Sequence, residues 1–182
     1  MDDRQTDYRR LIAPVERRMV RAMWRIVRNG SDADEAMQNA RIAIWSQWNK
    51  VVAHANPQAL MLTMAINAAY DVLRKRRRFA WLEKEPPSCE VPDGASSAFD
   101  TLADRQACDA VMNAIAALSR NQGRAILMHV VEEMPYPDIA AAMDCSEVTV
   151  RKHVARARAK LREKLADVLA PTFVRGGCHD RH

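Results

Sequence analysis

Apolar residues recur at intervals of three and four along most of the chain, and that spacing commits it to α-helix. Leu11, Val15, Met19 and Met23 stand four apart, and Ile26 and Val27 extend the stripe. A first helix is predicted from about Asp7 to Arg28, stopped at Asn29-Gly30. Pro14 would bend its early turns. Only five glycines occur in 182 residues, and Ala, Arg, Met and Leu are frequent, a mix that favours helix over sheet.

A second helix is predicted from Ser31, with Asp34 three residues on as a capping box, and Asp32 and Glu35 in the turn where the dipole favours negative charge. Its apolar face is Met37, Ala40, Ile44 and Trp48, with Trp45 beside it. Asn56-Pro57 reads as a cap followed by proline at the first helical position of a third helix, ending near Arg78. That helix carries an apolar stripe, Ala59, Leu62, Ile66, Ala69 and Leu73. A different stripe carries Asn67, Asp71, Arg74, Lys75 and Arg78, and the helix closes on five consecutive basic residues, Arg74-Lys75-Arg76-Arg77-Arg78.

Residues 83 to about 100 hold three prolines, several acids and small polar residues, a linker composition. The expected fold is therefore all-α: two small helical domains, 8–80 and 105–169, joined by a flexible acidic linker, 81–104, with a disordered tail, 170–182. Four helices are predicted in the second domain, over about Ala98–Leu118, Arg120–Glu133 with Ser119 as cap, Pro137–Met143, and Glu147–Leu169. Cys89, Cys108, Cys145 and Cys178 are scattered without a CxxC pair, which argues against a disulfide framework or structural zinc. The polar N-terminus is no signal peptide, and no apolar run spans a bilayer. A cytoplasmic protein without membrane insertion is expected. The net charge of +5 and pI near 9.3 point to a polyanionic partner.

The stretch from Tyr136 to Leu161 carries the strongest functional signal. A short helix with Ile139, Ala140 and Met143 meets a three-residue turn, Asp144-Cys145-Ser146, and then a longer helix. This is the helix-turn-helix layout, whose second helix enters the major groove. Ala140 is small where the helices cross, Ser146 is placed to cap, and Val150, Val154, Ala157 and Leu161 form the buried stripe. Thr149, Arg151, Lys152, His153, Arg156 and Arg158 fall on the rest of the surface, the early ones near base edges and the later arginines near phosphates. The third helix offers a second cationic surface, equally readable as a solvated helix end. The acids at the start of the second helix suit either helix capping or protein binding. Histidines lie on separate helices, no nucleophile–base spacing appears and there is no phosphate-binding glycine loop, so neither an enzyme nor a cofactor is expected. Cys178-His179 with His182 reads as a floppy terminus rather than a metal site. Trp24, Trp45 and Trp48 read as core or interface anchors.

Both halves resemble a small sigma factor of the extracytoplasmic-function group. In 32–45 the resemblance rests on Asp32, Asp34, Gln38 and Trp45, and in 56–78 on Asn67, Asp71 and Arg74 before the basic run. Over about 105–168 it centres on the helix-turn-helix. The resemblance implies RNA polymerase core as a partner, bound through the second helix near Asp32, Asp34, Glu35 and Gln38. It implies help in melting the −10 element, with the non-template strand held near Asn67, Asp71 and Arg74–Arg78. It implies reading of the double-stranded −35 element by Ser146, Thr149, Arg151, Lys152, His153, Arg156 and Arg158. The linker acids Glu83, Glu85, Glu90 and Asp93 would line the polymerase channels as a nucleic-acid mimic. Members of the group are often held by an anti-sigma factor, and no residue here identifies one. Asn39-Ala40-Arg41 stands where the group usually has an acid, a Thr and an aromatic. Val148 replaces a customary Gly, and Pro135 and Pro137 flank a position where a hydroxyl cap and acids are usual. The competing readings are a helix-turn-helix regulator with an N-terminal sensor or dimerisation module, and a polymerase adaptor that does not read DNA.

Overall fold

In the computed structural model, which describes residues 3–79 and 102–169, the first apolar stripe becomes a core face. Helix α1 (Asp3–Val27) buries Val15, Met19, Met23 and Ile26 completely. Pro14 lies on its exposed side, and the helix runs on through it. The helix is stopped by Arg28 rather than by Asn29-Gly30: Arg28 turns left-handed at φ 63°, and Gly30 already belongs to the next helix.

That turn relocates the cap of α2 (Gly30–Ser46) from Ser31 to Asn29. The Asp32 N–H donates to Asn29 Oδ1 at 2.8 Å, and Asn29 Nδ2 donates to Asp32 Oδ2 at 2.7 Å. The reciprocal pair expected of Ser31 and Asp34 is thus made two residues earlier. Once Arg28 has reversed the chain, Asn29 is the extended residue whose side chain meets the free N–H groups of the first turn. The second helix is also shorter than expected. It breaks at Gln47, and Trp48 opens a separate short helix, α3 (Trp48–Ala53). Asn56 caps α4 (Pro57–Phe79) as anticipated, accepting from Ala59 N–H at 3.0 Å.

The C-terminal half comprises α5 (Leu102–Ala116), α6 (Arg120–Ile126), α7 (Tyr136–Met143) and α8 (Glu147–Leu169). Ser119 is the N-cap of α6, and its N–H donates to Gln122 Oε1 at 3.4 Å. The helix expected to reach Glu133 ends at Ile126 and widens into a π-helical turn, Leu127–Val131, where the Glu132 N–H donates to Leu127 O at 3.1 Å. Glu133 at φ 53° then ends the segment. The linker residues 80–101 and the tail 170–182 lie outside the described residues. So do the linker acids and the Cys178, His179 and His182 cluster. Among the described residues the fold is all-α, as expected, and no helix is long and apolar enough to cross a membrane.

Helix α4 is the centre of the molecule. Every residue from Ala59 to Ile66 is buried, so apolar side chains are needed all around it and not along one stripe. It packs on α1 and α2 and also on α6 and α7, so one apolar core runs through both halves. Polar contacts close the seam. The Tyr70 hydroxyl donates to Ile115 O at 3.1 Å, and Thr63 Oγ1 donates to Met128 Sδ at 3.2 Å. Arg18 Nε reaches Glu132 Oε2 at 2.6 Å, Asn56 Nδ2 reaches Asp138 Oδ2 at 2.8 Å, and Arg28 meets Asp109 and Asn113.

Candidate nucleic-acid interface

The helix-turn-helix forms as its residues require. Ile139, Ala140 and Met143 of α7 are buried against the stripe Val150, Val154 and Ala157 of α8. Asp144 ends α7 in left-handed backbone, φ 54° and ψ 52°, a conformation that Asp tolerates better than most residues. The Cys145 N–H donates to Ala140 O at 3.0 Å. Burial pushes the Cys145 thiol above its ordinary pKa, so it is a packing group rather than a nucleophile. Ser146 caps α8: the Thr149 N–H donates to Ser146 Oγ at 3.3 Å, and the two hydroxyls lie 2.9 Å apart.

Arg151, Lys152, Arg156 and Arg158 are exposed along one cationic helix. His153 is half-buried. Burial first, then Arg156 and Arg124, hold its imidazole below the ordinary value of 6.5, so it presents a neutral ring among guanidiniums. Ser146 and Thr149 are engaged with each other at the helix start. The side chains exposed toward base edges or phosphates are therefore mainly the four cations.

The second cationic surface is more constrained than its composition suggests. Lys75 Nζ pairs with Glu35 Oε1 at 2.9 Å, and Arg76 Nη1 with Asp32 Oδ2 at 2.9 Å. Residues expected on two separate surfaces, one for polymerase and one for DNA, thus neutralise each other across α2 and α4. Asp32 also serves the α2 cap and is only 17% exposed in its side chain, so it is mainly a structural group. Arg77 Nη2 donates to Ala116 O at 3.1 Å. Asp71 accepts from Arg74 at 2.6 Å and also pairs with Arg120 from the other half. Arg74 and Arg78 remain exposed.

Asn67 is half-buried, and its Oδ1 is enclosed without a hydrogen-bond partner. It lines an open cleft of about 260 Å³ together with Asn39, Gln47 and Asp71. The sequence marked Asn39 only as a departure from the group's pattern and did not single out Gln47, because Asn39 lies on α2 and Gln47 at the break after it, and only packing of α2 on α4 brings their amides to Asn67. Each amide both donates and accepts, as reading a base edge requires.

Asp34 and Gln38 are exposed on α2 in line with Ile42, 67% exposed, and Trp45, 40% exposed. Trp45 meets Tyr8 edge-on at 5.3 Å, whereas Trp48 is buried and Trp24 is half-buried against the core. Ile42 was also missed, since its exposure follows only from the rotation of α2 on the core.

A family model described as Sigma-70 region 2 matches residues 11–79, and one described as Sigma-70, region 4 matches residues 108–161. A curated relative named RNA polymerase sigma-E factor, from Streptomyces avermitilis, is 26% identical over 148 residues, spanning 81% of this chain and 78% of its own. One of the same name from Streptomyces coelicolor is 26% identical over 148 residues, with 81% and 79% covered. Among solved structures, the sigma factor RpoE of Bartonella quintana, in complex with the anti-sigma factor NepR, superposes with a TM-score of 0.64. It is 22% identical and covers 88% of this chain and 97% of that one, which shows a shared fold. Two regions of one family, matched in order across both helical halves, with the second built around a complete helix-turn-helix, mean that the chain belongs to the sigma-70 family as a small sigma factor of the extracytoplasmic-function group.

Proposed function

We propose that this sigma factor, which directs RNA polymerase core to promoters and performs no chemistry itself, divides its work among three surfaces. Helix α8 reads the −35 element through Arg151 and Lys152 near the base edges, and Arg156 and Arg158 hold flanking phosphates. The cleft of Asn39, Gln47 and Asn67 captures a base released from the −10 element, with Asp71 at its rim and Arg74 and Arg78 on the backbone. Unstacking a base costs a few kcal/mol, which polar capture of the base edge offsets. Asp34, Glu35 and Gln38, with the exposed Ile42 and Trp45, form the polymerase-facing side of α2. An apolar pair rimmed by polar groups is the composition of a binding patch. The protein acts in the cytoplasm, where core polymerase and DNA meet. An anti-sigma factor is a further proposed partner, a relation that the Bartonella quintana complex illustrates for that protein.

One observation supports this reading most: a fully formed helix-turn-helix whose second helix buries an apolar stripe and exposes a cationic face to solvent. Promoter-directed transcription with core polymerase tests it. Replacing Arg151, Lys152 and Arg156 by Ala is expected to abolish initiation at promoters that depend on the −35 element, and undiminished initiation would refute the assignment. Replacing Asn67 and the basic residues Arg74–Arg78 by Ala is expected to impair melting, read by permanganate reactivity, more than duplex binding. Normal melting by that variant would remove α4 from the −10 role.

A further inference from the structure

Arg151 does not extend freely from α8. Its guanidinium lies over the Tyr136 ring, 4.2 Å from the ring centroid, and its Nη2 is 3.6 Å from Glu147 Oε2. Tyr136 is in turn stacked on His129, with centroids 4.3 Å apart and planes at 28°. Three side chains from three consecutive segments, the π-helical turn, α7 and α8, therefore form one column.

The backbone beneath the column is unusually well determined. Pro135 is the N-cap of α7, and Pro137 lies in its first turn, where missing N–H groups cost no helical hydrogen bond. Two prolines thus bracket Tyr136 and restrict its backbone. On the other side, the Met134 N–H donates to Met128 O at 3.0 Å, closing the π-helical turn, and His129 Nδ1 lies 3.3 Å from Met134 O. A widened turn of this kind is a common device at functional positions. Here it brings His129 against Tyr136.

We propose that Tyr136 is a positioning residue for promoter recognition: it holds Arg151 as a preset fork directed at a guanine of the −35 element. The proposal rests on the reading of Arg151 as a base-reading residue. A bidentate arginine–guanine contact is the commonest specific pairing in the major groove, and it demands one orientation of a long, flexible side chain. An arginine seated on a ring has already lost that freedom during folding, so less is lost on binding. The seat uses the ring's π-face and none of the five guanidinium N–H donors, of which only those on Nη2 face Glu147, at 3.6 Å.

The test uses the full chain with core polymerase on a promoter library randomised through the −35 element. Arg151→Ala is expected to erase guanine preference at one position. Tyr136→Leu is expected to lower discrimination at that same position by about fivefold, as loss of a cation–π seat predicts. Tyr136→Phe, which keeps the ring, is expected to retain it, and Tyr136→Leu is expected to add nothing in an Arg151→Ala background. The salt dependence of binding, which counts phosphate contacts, is expected to stay unchanged in all three. Discrimination intact in Tyr136→Leu while Arg151→Ala loses it would overturn the positioning role alone. No loss in Arg151→Ala would overturn the base-reading role and the proposal with it. Thermal melts of Tyr136→Leu and Tyr136→Met accompany the selection. Failure of both to fold, with Tyr136→Phe normal, would overturn the proposal by making the ring a core group.

Discussion

Tyr70 of α4 sets the hydroxyl end of its ring against Gly123 of α6, where a side chain at position 123 would stand. A Cβ on Gly123 would overlap the phenol oxygen and the adjoining ring carbons. The same hydroxyl donates to Ile115 O, and burial pushes its pKa far above the ordinary phenol value, so it stays neutral and keeps donating. A glycine inside α6 is locally unfavourable. Its presence is explained by the close approach of the two halves.

Gly123→Ala is therefore expected to separate the halves without unfolding either. Alanine favours helix over glycine by about 1 kcal/mol, so α6 itself gains. Small-angle scattering is expected to show a larger radius of gyration than the roughly 16 Å of a compact chain of this length. Promoter elements near −35 and −10 lie about 85 Å apart along a duplex with a rise of 3.4 Å per base pair, beyond the reach of the docked body. Initiation by the variant is thus expected to match or exceed that of the parent. An unchanged radius would show that the seam tolerates the methyl group.

Glu132 joins the same seam from the other side. Its side chain is 7% exposed and takes Arg18 Nε at 2.6 Å. Glu132→Gln keeps the shape but removes the charge beside Arg18 and near Arg25, whose own pKa is lowered chiefly by burial. A loss of about 2 kcal/mol in denaturant unfolding is expected, since one partner of a mostly buried pair is left uncompensated. A change within about 0.5 kcal/mol would place this pair with ordinary surface ion pairs.

The cap of α2 separates two neighbouring residues. Asn29→Ala is expected to cost about 1 kcal/mol, as loss of an N-cap does, while Ser31→Ala should change stability by less than about 0.5 kcal/mol. Chemical denaturation of both variants decides it, and the reverse order would restore Ser31 as the cap.

His153 gives the helix-turn-helix a pH dependence of definite sign. Burial, Arg156 and Arg124 lower its pKa from 6.5, so the folded state favours the neutral ring. Its contribution is complete above 6.5 and is lost as pH falls through the folded-state value. The melting temperature is expected to fall from pH 7.5 to 5.5, and to fall less in His153→Gln. Equal slopes for the two proteins would remove His153 as the cause.

The helical class, the helix-turn-helix and its buried stripe were legible in the residues, because each depends on contacts within a few positions of the chain. Period, turn and cap around Asp144 and Ser146 agree locally, and the tertiary structure leaves them as they were. The cap of α2 was misplaced because Ser31 and Asn29 are both good caps, and the choice depends on where Arg28 reverses the chain. The cleft of Asn39, Gln47 and Asn67, the pairing of Lys75 and Arg76 with Glu35 and Asp32, and the seating of Arg151 on Tyr136 were not legible. Each joins residues from different helices, and relative helix rotation is set by how apolar volume fills around α4. Sequence by itself determined the helical class, most of the helical segments, and which of them carries the exposed cationic face. Only the tertiary structure decided that the two halves share one core, because a glycine at 123 and a tyrosine at 70 mean nothing until packing brings them together.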